Sequence, residues 1–167
     1  MNEDHYRAAP WTQFWVLLGF LCLCLGVGAT AGVLTVGPAL LWYASLARPL
    51  LSPPNWLFGP VWTVMYGAMA VAAWMIWREP GMPRKRQTAL TFWGVQLALN
   101  ASWSPVYFGL HMLGAGLVVI LLLLAAVAAT GRRFYQLDVR AGLLLAPYLA
   151  WVGFATYLNA GFWWLNR

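Results

Sequence analysis

A stripe of amide and aromatic side chains runs through an apolar part of the sequence. It consists of Gln96, Asn100, Trp103 and Tyr107, whose spacings of i, i+4, i+7 and i+11 place them on one face of a helix. An amide in hydrocarbon costs free energy unless it faces protein, water or a ligand. The stripe is therefore expected to point inward, where amides bind by hydrogen bonds and rings by stacking.

Two further apolar segments carry sets of the same kind. Trp62, Tyr66 and Met69 share one helical face. A later set lies on one broad side of another helix and consists of Tyr148, Trp151, Ala155, Leu158 and Asn159. Tryptophan and tyrosine also anchor helices at membrane interfaces, and methionine commonly fills cores, so the residues by themselves leave packing and a pocket role open. A pocket built from these sets would suit a flat, hydrophobic, weakly polar ligand.

Other kinds of chemistry lack the residues that they need. The four acidic residues and the single lysine lie outside the apolar segments, at Glu3, Asp4, Glu79, Asp138 and Lys85. A proton relay of the usual pump kind and a retinal Schiff base are therefore excluded. Cys22 and Cys24 are two residues apart and point to different sides of a helix, so no metal site is expected. We accordingly predict no metal, no required cofactor and no conventional enzyme.

The composition is that of a membrane protein. Of the 167 residues, 62% are hydrophobic and 8% are charged. In a soluble domain about a quarter of the residues are charged. The net charge of +6 comes from basic residues at segment ends and not from a patch shaped for phosphates. Water-soluble globules and nucleic-acid binders are therefore excluded, and membrane lipid is the expected partner.

Five segments have the roughly 20 mostly apolar residues that a transmembrane helix needs. They cover residues 11–34, 55–78, 87–107, 112–131 and 141–163. We predict an all-α membrane protein, with residues 1–167 forming a single domain of five transmembrane helices. The long first loop, 35–54, contains Trp42, Tyr43 and four prolines. A loop of this length and composition is expected to form a rigid, partly buried lid.

Lysine and arginine are distributed unevenly between the two sides of such a bundle. One side holds eight of them, Arg7, Arg78, Arg84, Lys85, Arg86, Arg132, Arg133 and Arg140. The other side holds Arg48 and Arg167. By the positive-inside rule, this distribution predicts a cytoplasmic N-terminus and a C-terminus outside.

Three blocks of sequence resemble a known family. They are WYASLARPLLSPPNWLFGPVWTVMY (42–66), QLALNASWSPVYF (96–108) and APYLAWVGFATYLN (146–159). These blocks are similar to those of the TspO/MBR family, the tryptophan-rich sensory proteins that include the mitochondrial translocator protein or peripheral-type benzodiazepine receptor. The resemblance implies five transmembrane helices, a first loop that closes a pocket, and a homodimer.

The resemblance also implies a ligand and a set of residues that bind it. The ligand would be a porphyrin, notably protoporphyrin IX, or an isoquinoline-carboxamide or benzodiazepine drug. The implied pocket comprises Trp42, Tyr43, Trp62, Tyr66, Asn100, Trp103, Trp151, Ala155 and Leu158, and the inward faces described above add Gln96 and Tyr148. In the family, the tryptophans that match Trp62 and Trp151 are implicated in light- and oxygen-dependent porphyrin breakdown, which makes them the catalytic candidates. Animal members follow the Leu-Asn pair with tyrosine and a nearby arginine, whereas Leu158-Asn159 precedes Ala160, so cholesterol is not expected as the native ligand.

Three functions follow as alternatives. The first is a membrane receptor or sensor of porphyrin-like ligands that affects tetrapyrrole metabolism. The second is light- and oxygen-dependent degradation of porphyrin, and the third is transport of tetrapyrroles or lipids. Transport is the least favoured, because the sequence has no inverted repeat and no site for a coupling ion. The short, tryptophan-rich and cysteine-poor chain indicates a bacterial cell membrane.

Overall fold

The chain folds into helices that lie side by side. A computed structural model describes residues 9–35 and 37–167, apart from the side chain of Pro38, and it contains no strand within those ranges. The helices are α1 (Pro10–Leu34), α2 (Pro38–Ser45), α3 (Phe58–Trp77), α4 (Pro83–Ser104), α5 (Leu113–Leu137), α6 (Val139–Leu144) and α7 (Ala146–Leu165). A 3-10 turn, Asn55–Leu57, leads into α3, and a π-helical turn, Pro105–Gly109, extends α4. The prediction of an all-α protein is confirmed.

Four helical segments are long and apolar enough to cross a bilayer. They are Pro10–Leu34, Asn55–Trp77, Leu113–Leu137 and Val139–Leu165. Helix α4, which together with the π-helical turn covers the predicted span 87–107, is not among them. It has 22 residues, but it begins with Arg84-Lys85-Arg86 and carries Gln96 and Asn100, so it is less apolar than the other four.

Local sequence explains where several helices begin and end. Prolines occupy the first turns of α1, α4 and α7, where backbone N–H groups have no partner within the helix. The last predicted span, 141–163, is divided at Leu145, because Pro147 has no N–H with which to continue the hydrogen bonds of α6. The fourth span extends to Leu137, six residues beyond its predicted end.

The helices pack around two neighbouring cores. Helix α5 lies against α4 and α7, and α3 lies against α1 and α6. The larger core combines large aromatic side chains, among them Trp93, Phe134 and Tyr148, with small side chains of α3 such as Ala70 and Ala73. The smaller core lies at one end of the bundle and is formed by Tyr43, Tyr107, Leu113, Leu158 and Phe162.

The predicted lid segment, 35–54, is partly helical. The sequence predicts a rigid loop without a helix here, whereas the structure contains the eight-residue helix α2. So short a helix is marginal by itself in water. It is stabilised here by packing, because Tyr43 is buried in the smaller core and Trp42 packs against that core.

Candidate ligand-binding site

Four polar side chains from three helices form one hydrogen-bonded network in the interior. The Tyr66 hydroxyl of α3 donates to Asn100 Oδ1 of α4 at 2.6 Å, and Asn100 Nδ2 donates to the Tyr148 hydroxyl of α7 at 2.9 Å. The Tyr148 hydroxyl in turn donates to Gln96 Oε1 at 2.9 Å. Gln96 Nε2 completes the chain with a weak 3.5 Å contact to Met69 Sδ. All five side chains are buried.

This network explains why amides are tolerated at this depth. A buried amide or hydroxyl is costly only when it lacks a partner, and here each group finds one on a neighbouring helix. Gln96 and Asn100 lie one helical turn apart, so both reach Tyr148 from the same face of α4. The network therefore fixes α3, α4 and α7 in one register. The expectation that Gln96 and Asn100 point inward is confirmed.

Trp62 adds an aromatic surface beside the network. Its ring centroid lies 5.6 Å from that of Tyr66 and 6.3 Å from that of Tyr148. The Trp62 side chain is only partly buried, and it packs against the larger core. Its position one helical turn before Tyr66 is what brings the indole to the tyrosine rings.

A second polar pair joins α4, α5 and α7 at the end of the bundle that contains the smaller core. Trp103 Nε1 donates to Asn159 Oδ1 at 3.1 Å, and Asn159 Nδ2 donates to the Leu113 carbonyl at 2.9 Å. Trp103 also stacks on Tyr107, with centroids 4.9 Å apart. Because Trp103 packs against both cores, it connects this pair to the hydrogen-bonded network around Asn100 and Tyr148.

The rings of α2 cover this end of the interior. Trp42 lies edge-on to Tyr107 at 6.0 Å and stacks on His111 at 4.2 Å. Tyr43 lies 4.9 Å from Phe162 of α7. Burial raises the pKa of Tyr43, against the neighbouring Arg48 guanidinium, which lowers it, so the phenol is neutral at physiological pH.

Trp151 differs from the other interior aromatics in its polar atom. Its Nε1 is buried and has no hydrogen-bond partner among residues 9–35 and 37–167, the part of the chain that the structure describes. The indole ring lies 5.9 Å from Phe58, at the start of α3, and 5.6 Å from Phe154. An unpaired buried N–H is uncommon in native proteins, and a bound group that accepts a hydrogen bond would satisfy it.

The structure thus divides the expected site residues into connected groups. Trp62, Tyr66, Gln96, Asn100 and Tyr148 lie together in the network, and Trp42, Tyr43, Trp103 and Leu158 lie together at the end of the bundle. Ala155 is buried in the larger core, one turn after Trp151 on α7. Trp151 has its ring contacts with the two phenylalanines and with no member of either group.

Several residues at the site were not among those chosen from sequence. Asn159 and Met69 were placed on inward faces but not in the site, although both accept hydrogen bonds from interior side chains. Phe154 follows Trp151 by three residues, and this helical spacing is a sequence signal from which their contact can be predicted. No sequence signal pointed to Phe58, because its contact with Trp151 depends on how α3 packs on α7.

Fold and interior together define a class of protein. This is a multi-pass helical membrane protein whose interior contains aromatic and amide side chains, without a charged side chain among the buried residues that the structure describes. The TspO/MBR family model matches residues 20–165, and the chain belongs to that family.

Curated relatives agree with this assignment over nearly the full chain. The translocator protein of Homo sapiens is 40% identical over 158 residues, which are 93% of this chain and 91% of that protein. The tryptophan-rich sensory protein of Cereibacter sphaeroides is 40% identical over 159 residues, 95% of this chain and 90% of that protein. Protein CrtK of Rhodobacter capsulatus is 39% identical over 150 residues, 88% of this chain and 90% of that protein.

Proposed function

We propose that the protein is a membrane receptor or sensor that binds porphyrin-type tetrapyrroles in its aromatic interior and thereby affects tetrapyrrole metabolism. The observation that carries the proposal is the buried, unpartnered Nε1 of Trp151 between the rings of Phe58 and Phe154. A flat ligand supplies ring faces for the aromatic side chains and an acceptor atom for the indole N–H. The names of two relatives, a translocator protein and a tryptophan-rich sensory protein, are compatible with this role.

The proposal includes the arrangement around the pocket. Helix α4 crosses the bilayer as the fifth transmembrane helix, since its polar residues face the interior network. Residues 35–54 act as the lid, with Trp42 and Tyr43 facing the interior from α2. The protein lies in a bacterial cell membrane as a homodimer, and much of the surface of α1 is left free for contact with lipid or a second copy.

A titration with protoporphyrin IX, followed by tryptophan fluorescence, tests the ligand. Trp151→Phe removes the unpaired N–H but keeps a ring, so we expect affinity to fall by about 3- to 10-fold, the equivalent of one hydrogen bond. Trp164→Phe is the matched control, because Trp164 is exposed at the end of α7 and its replacement is expected to leave affinity unchanged. Equal affinities for the wild type and Trp151→Phe would remove the support for this pocket.

The iron form of the same porphyrin separates ring recognition from metal coordination. The buried residues that the structure describes include no histidine and no charged side chain, and His111, which stacks on Trp42, is exposed. We therefore expect the free-base and iron porphyrins to bind with similar affinity. A strong preference for the iron form would contradict recognition by rings and amides alone.

Light-dependent degradation of porphyrin is a second candidate function, favoured by the position of Trp62. Its indole lies beside Tyr66 and Tyr148, which are within the hydrogen-bonded network, and transfer of one electron from this indole to an excited porphyrin gives an indole radical cation and a porphyrin radical anion. Illumination in oxygen tests this by absorbance. A new bilin-like band that is lost in Trp62→Phe and Trp151→Phe supports degradation, and bleaching equal to that of a protein-free sample contradicts it.

A further inference from the structure

The segment between α2 and the 3-10 turn, residues 46–54, runs along the side of α7 and does not extend away from it. Asn166 holds Ala47 by two hydrogen bonds, accepting from its N–H at 2.9 Å and donating to its carbonyl at 3.0 Å. Pro49 packs against Gly161, where an added Cβ would lie 2.6 Å from Pro49 Cβ. The Tyr157 hydroxyl then donates to the Leu50 carbonyl at 3.0 Å.

These three contacts give the depth of the segment. They involve residues 166, 161 and 157 in turn, so the chain descends along α7 as it advances from residue 47 to residue 50. Tyr157 is eight residues before the end of α7, which corresponds to about 12 Å along a helix axis. Since Val139–Leu165 is one of the segments able to cross a bilayer, residues 50 and 51 lie beside a membrane-spanning helix and not beyond its end.

Part of the backbone of this segment is satisfied without water. Backbone groups at membrane depth need partners within the protein. Pro49, Pro53 and Pro54 have no N–H to satisfy, and the carbonyls of residues 47, 49 and 50 accept from the side chains of Asn166, Ser52 and Tyr157. The 3-10 turn that follows takes up the Pro54 carbonyl.

Three of the exposed side chains of this segment and of the turn that follows it are large and apolar, and they lie beside the exposed Arg48 and Asn55. Leu50 is 84% exposed, Leu51 is 79% exposed and Trp56 is 71% exposed. Leu51 adopts a φ of 65°, a left-handed conformation that is unfavourable for a residue other than glycine. Arg48 is exposed and lies two residues before Leu50, so a cation lies near this apolar surface. A basic side chain beside apolar ones is the usual arrangement at the boundary between headgroups and acyl chains.

We propose that the Leu50–Leu51 turn and Trp56 form a lipid-contacting surface that lies at the headgroup–acyl boundary of the membrane. The occupant is the acyl region of the lipid, because depth, proline content and the neighbouring arginine all fit a bilayer boundary. The segment that closes the interior is then itself in contact with lipid, so an apolar molecule dissolved in the bilayer meets it without passing through water. This inference does not depend on the identity of the ligand.

Spin-label accessibility in phosphatidylcholine vesicles tests the proposal. Exposed Cys22 is replaced by alanine and buried Cys24 is retained, which leaves one labelling site in each of Leu50→Cys, Leu51→Cys and Trp56→Cys. Val64→Cys, on the exposed face of α3, is the lipid control, and Met82→Cys, in the loop before Arg84, is the water control. We expect the ratio of collisions with oxygen to collisions with a water-soluble nickel chelate to be several-fold higher at residues 50, 51 and 56, as at residue 64, than at residue 82. Ratios equal to that at residue 82 would overturn the proposal.

A second measurement uses the unsubstituted chain and so does not depend on the folding of the variants. Phosphatidylcholine with a photoreactive group on its acyl chain is incorporated into the same vesicles, and the adducts are located by mass spectrometry. We expect adducts within residues 48–57 and none within 79–86. Modification of the α3 and α5 surfaces without any adduct in 48–57 would contradict a lipid-contacting turn.

Discussion

At the residue scale, the interior network depends on groups that serve two partners each. Tyr148 is central, because its hydroxyl accepts from Asn100 and donates to Gln96. Removing that one oxygen leaves an amide donor and an amide acceptor without partners. The cost is then the loss of hydrogen bonding by two buried groups and not only the loss of one bond.

Tyr148→Phe is therefore expected to lower the free energy of unfolding by about 1–3 kcal/mol. Thermal unfolding in detergent, followed by circular dichroism, measures the change. Tyr157→Phe is the control, since its hydroxyl bonds to Leu50 at an exposed position and its loss is expected to cost less. If the two variants melt at the same temperature, the network is not a main source of stability.

At the element scale, the close approach of α1 to α3 is set by one glycine. Gly28 and Gly32 have the GxxxG spacing that permits close helix contact, either within a chain or between copies. A Cβ at Gly28 would lie 2.6 Å from Cδ2 and Cε2 of Tyr66, whereas a Cβ at Gly32 would meet nothing within 4 Å. Gly28 thus serves packing within the chain, and Tyr66 cannot move aside without disturbing its bond to Asn100.

We expect Gly28→Ala to destabilise the protein by about 1–3 kcal/mol through overpacking. Gly32→Ala is expected to be neutral or stabilising by up to about 1 kcal/mol, because alanine is the better helix former. Melting temperature and molecular mass in detergent are measured for both variants. A loss of dimer on Gly32→Ala would show instead that the pair is a seam between two copies.

Helix α6 depends on its N-cap residue, Asp138, in a different way. The Asp138 carboxylate accepts from the backbone N–H groups of Arg140 and Ala141 at 2.8 and 3.4 Å. Burial acts to raise the pKa of Asp138, but these hydrogen bonds and the Arg140 guanidinium outweigh it, so the pKa is lowered. A lowered pKa means that the stabilisation is present above the unfolded-state pKa, about 3.9, and is lost as the pH falls through the folded-state value.

Asp138→Ala is expected to cost about 1 kcal/mol at pH 7, the usual value of an N-cap. Asp138→Asn keeps an oxygen acceptor without the charge, so it is expected to retain most of the stability at pH 7. Melting curves between pH 7 and pH 3 distinguish the two effects, because the wild type should lose its advantage over Asp138→Asn below about pH 4. An unchanged difference across this range would argue against the carboxylate as the stabilising form.

At the scale of the whole molecule, the cations are separated between the two ends of the bundle. Trp74, near the end of α3, donates to the Gln13 carbonyl near the start of α1, and Arg133, near the end of α5, lies 3.5 Å from the ring centroid of Phe92 in α4. The start of α1, the turn between α3 and α4, and the end of α5 therefore lie at the same end of the bundle. Seven basic residues of the described chain lie near that end, Arg78, Arg84, Lys85, Arg86, Arg132, Arg133 and Arg140. Arg48 and Arg167 lie at the other end, where Asn166 bonds to Ala47. Arg7, the eighth basic residue of the predicted cytoplasmic side, is outside the described residues.

This separation predicts that the C-terminus is outside the cytoplasm. Alkaline phosphatase fused after Arg167 is expected to be active in a bacterial host, and green fluorescent protein at the same position is expected to be dark. The same reporters fused within 79–86 should give the opposite pair of results. Fluorescence from the C-terminal fusion would contradict the orientation.

The sequence by itself determined the features that depend on local spacing and on solvent. Apolar segments of spanning length require helices, because a backbone in lipid must satisfy its own hydrogen bonds. The spacing of Gln96 and Asn100 on an apolar helix required an inward face, since amides are costly against hydrocarbon. The blocks around Trp62, Asn100 and Trp151 carried the family resemblance.

Only the tertiary structure decided which of these inward groups meet. Tyr148 lies between Asn100 and Gln96, and the Trp151 N–H stays unpaired, because of how α7 packs on α3 and α4, which no spacing within one helix encodes. The descent of residues 47–50 along α7 likewise comes from contacts between residues more than 100 positions apart, and α2 is held by the contacts of Trp42 with Tyr107 and of Tyr43 with Phe162. Local propensity and periodicity report the face that a residue occupies, whereas its partner depends on the packing of the whole chain.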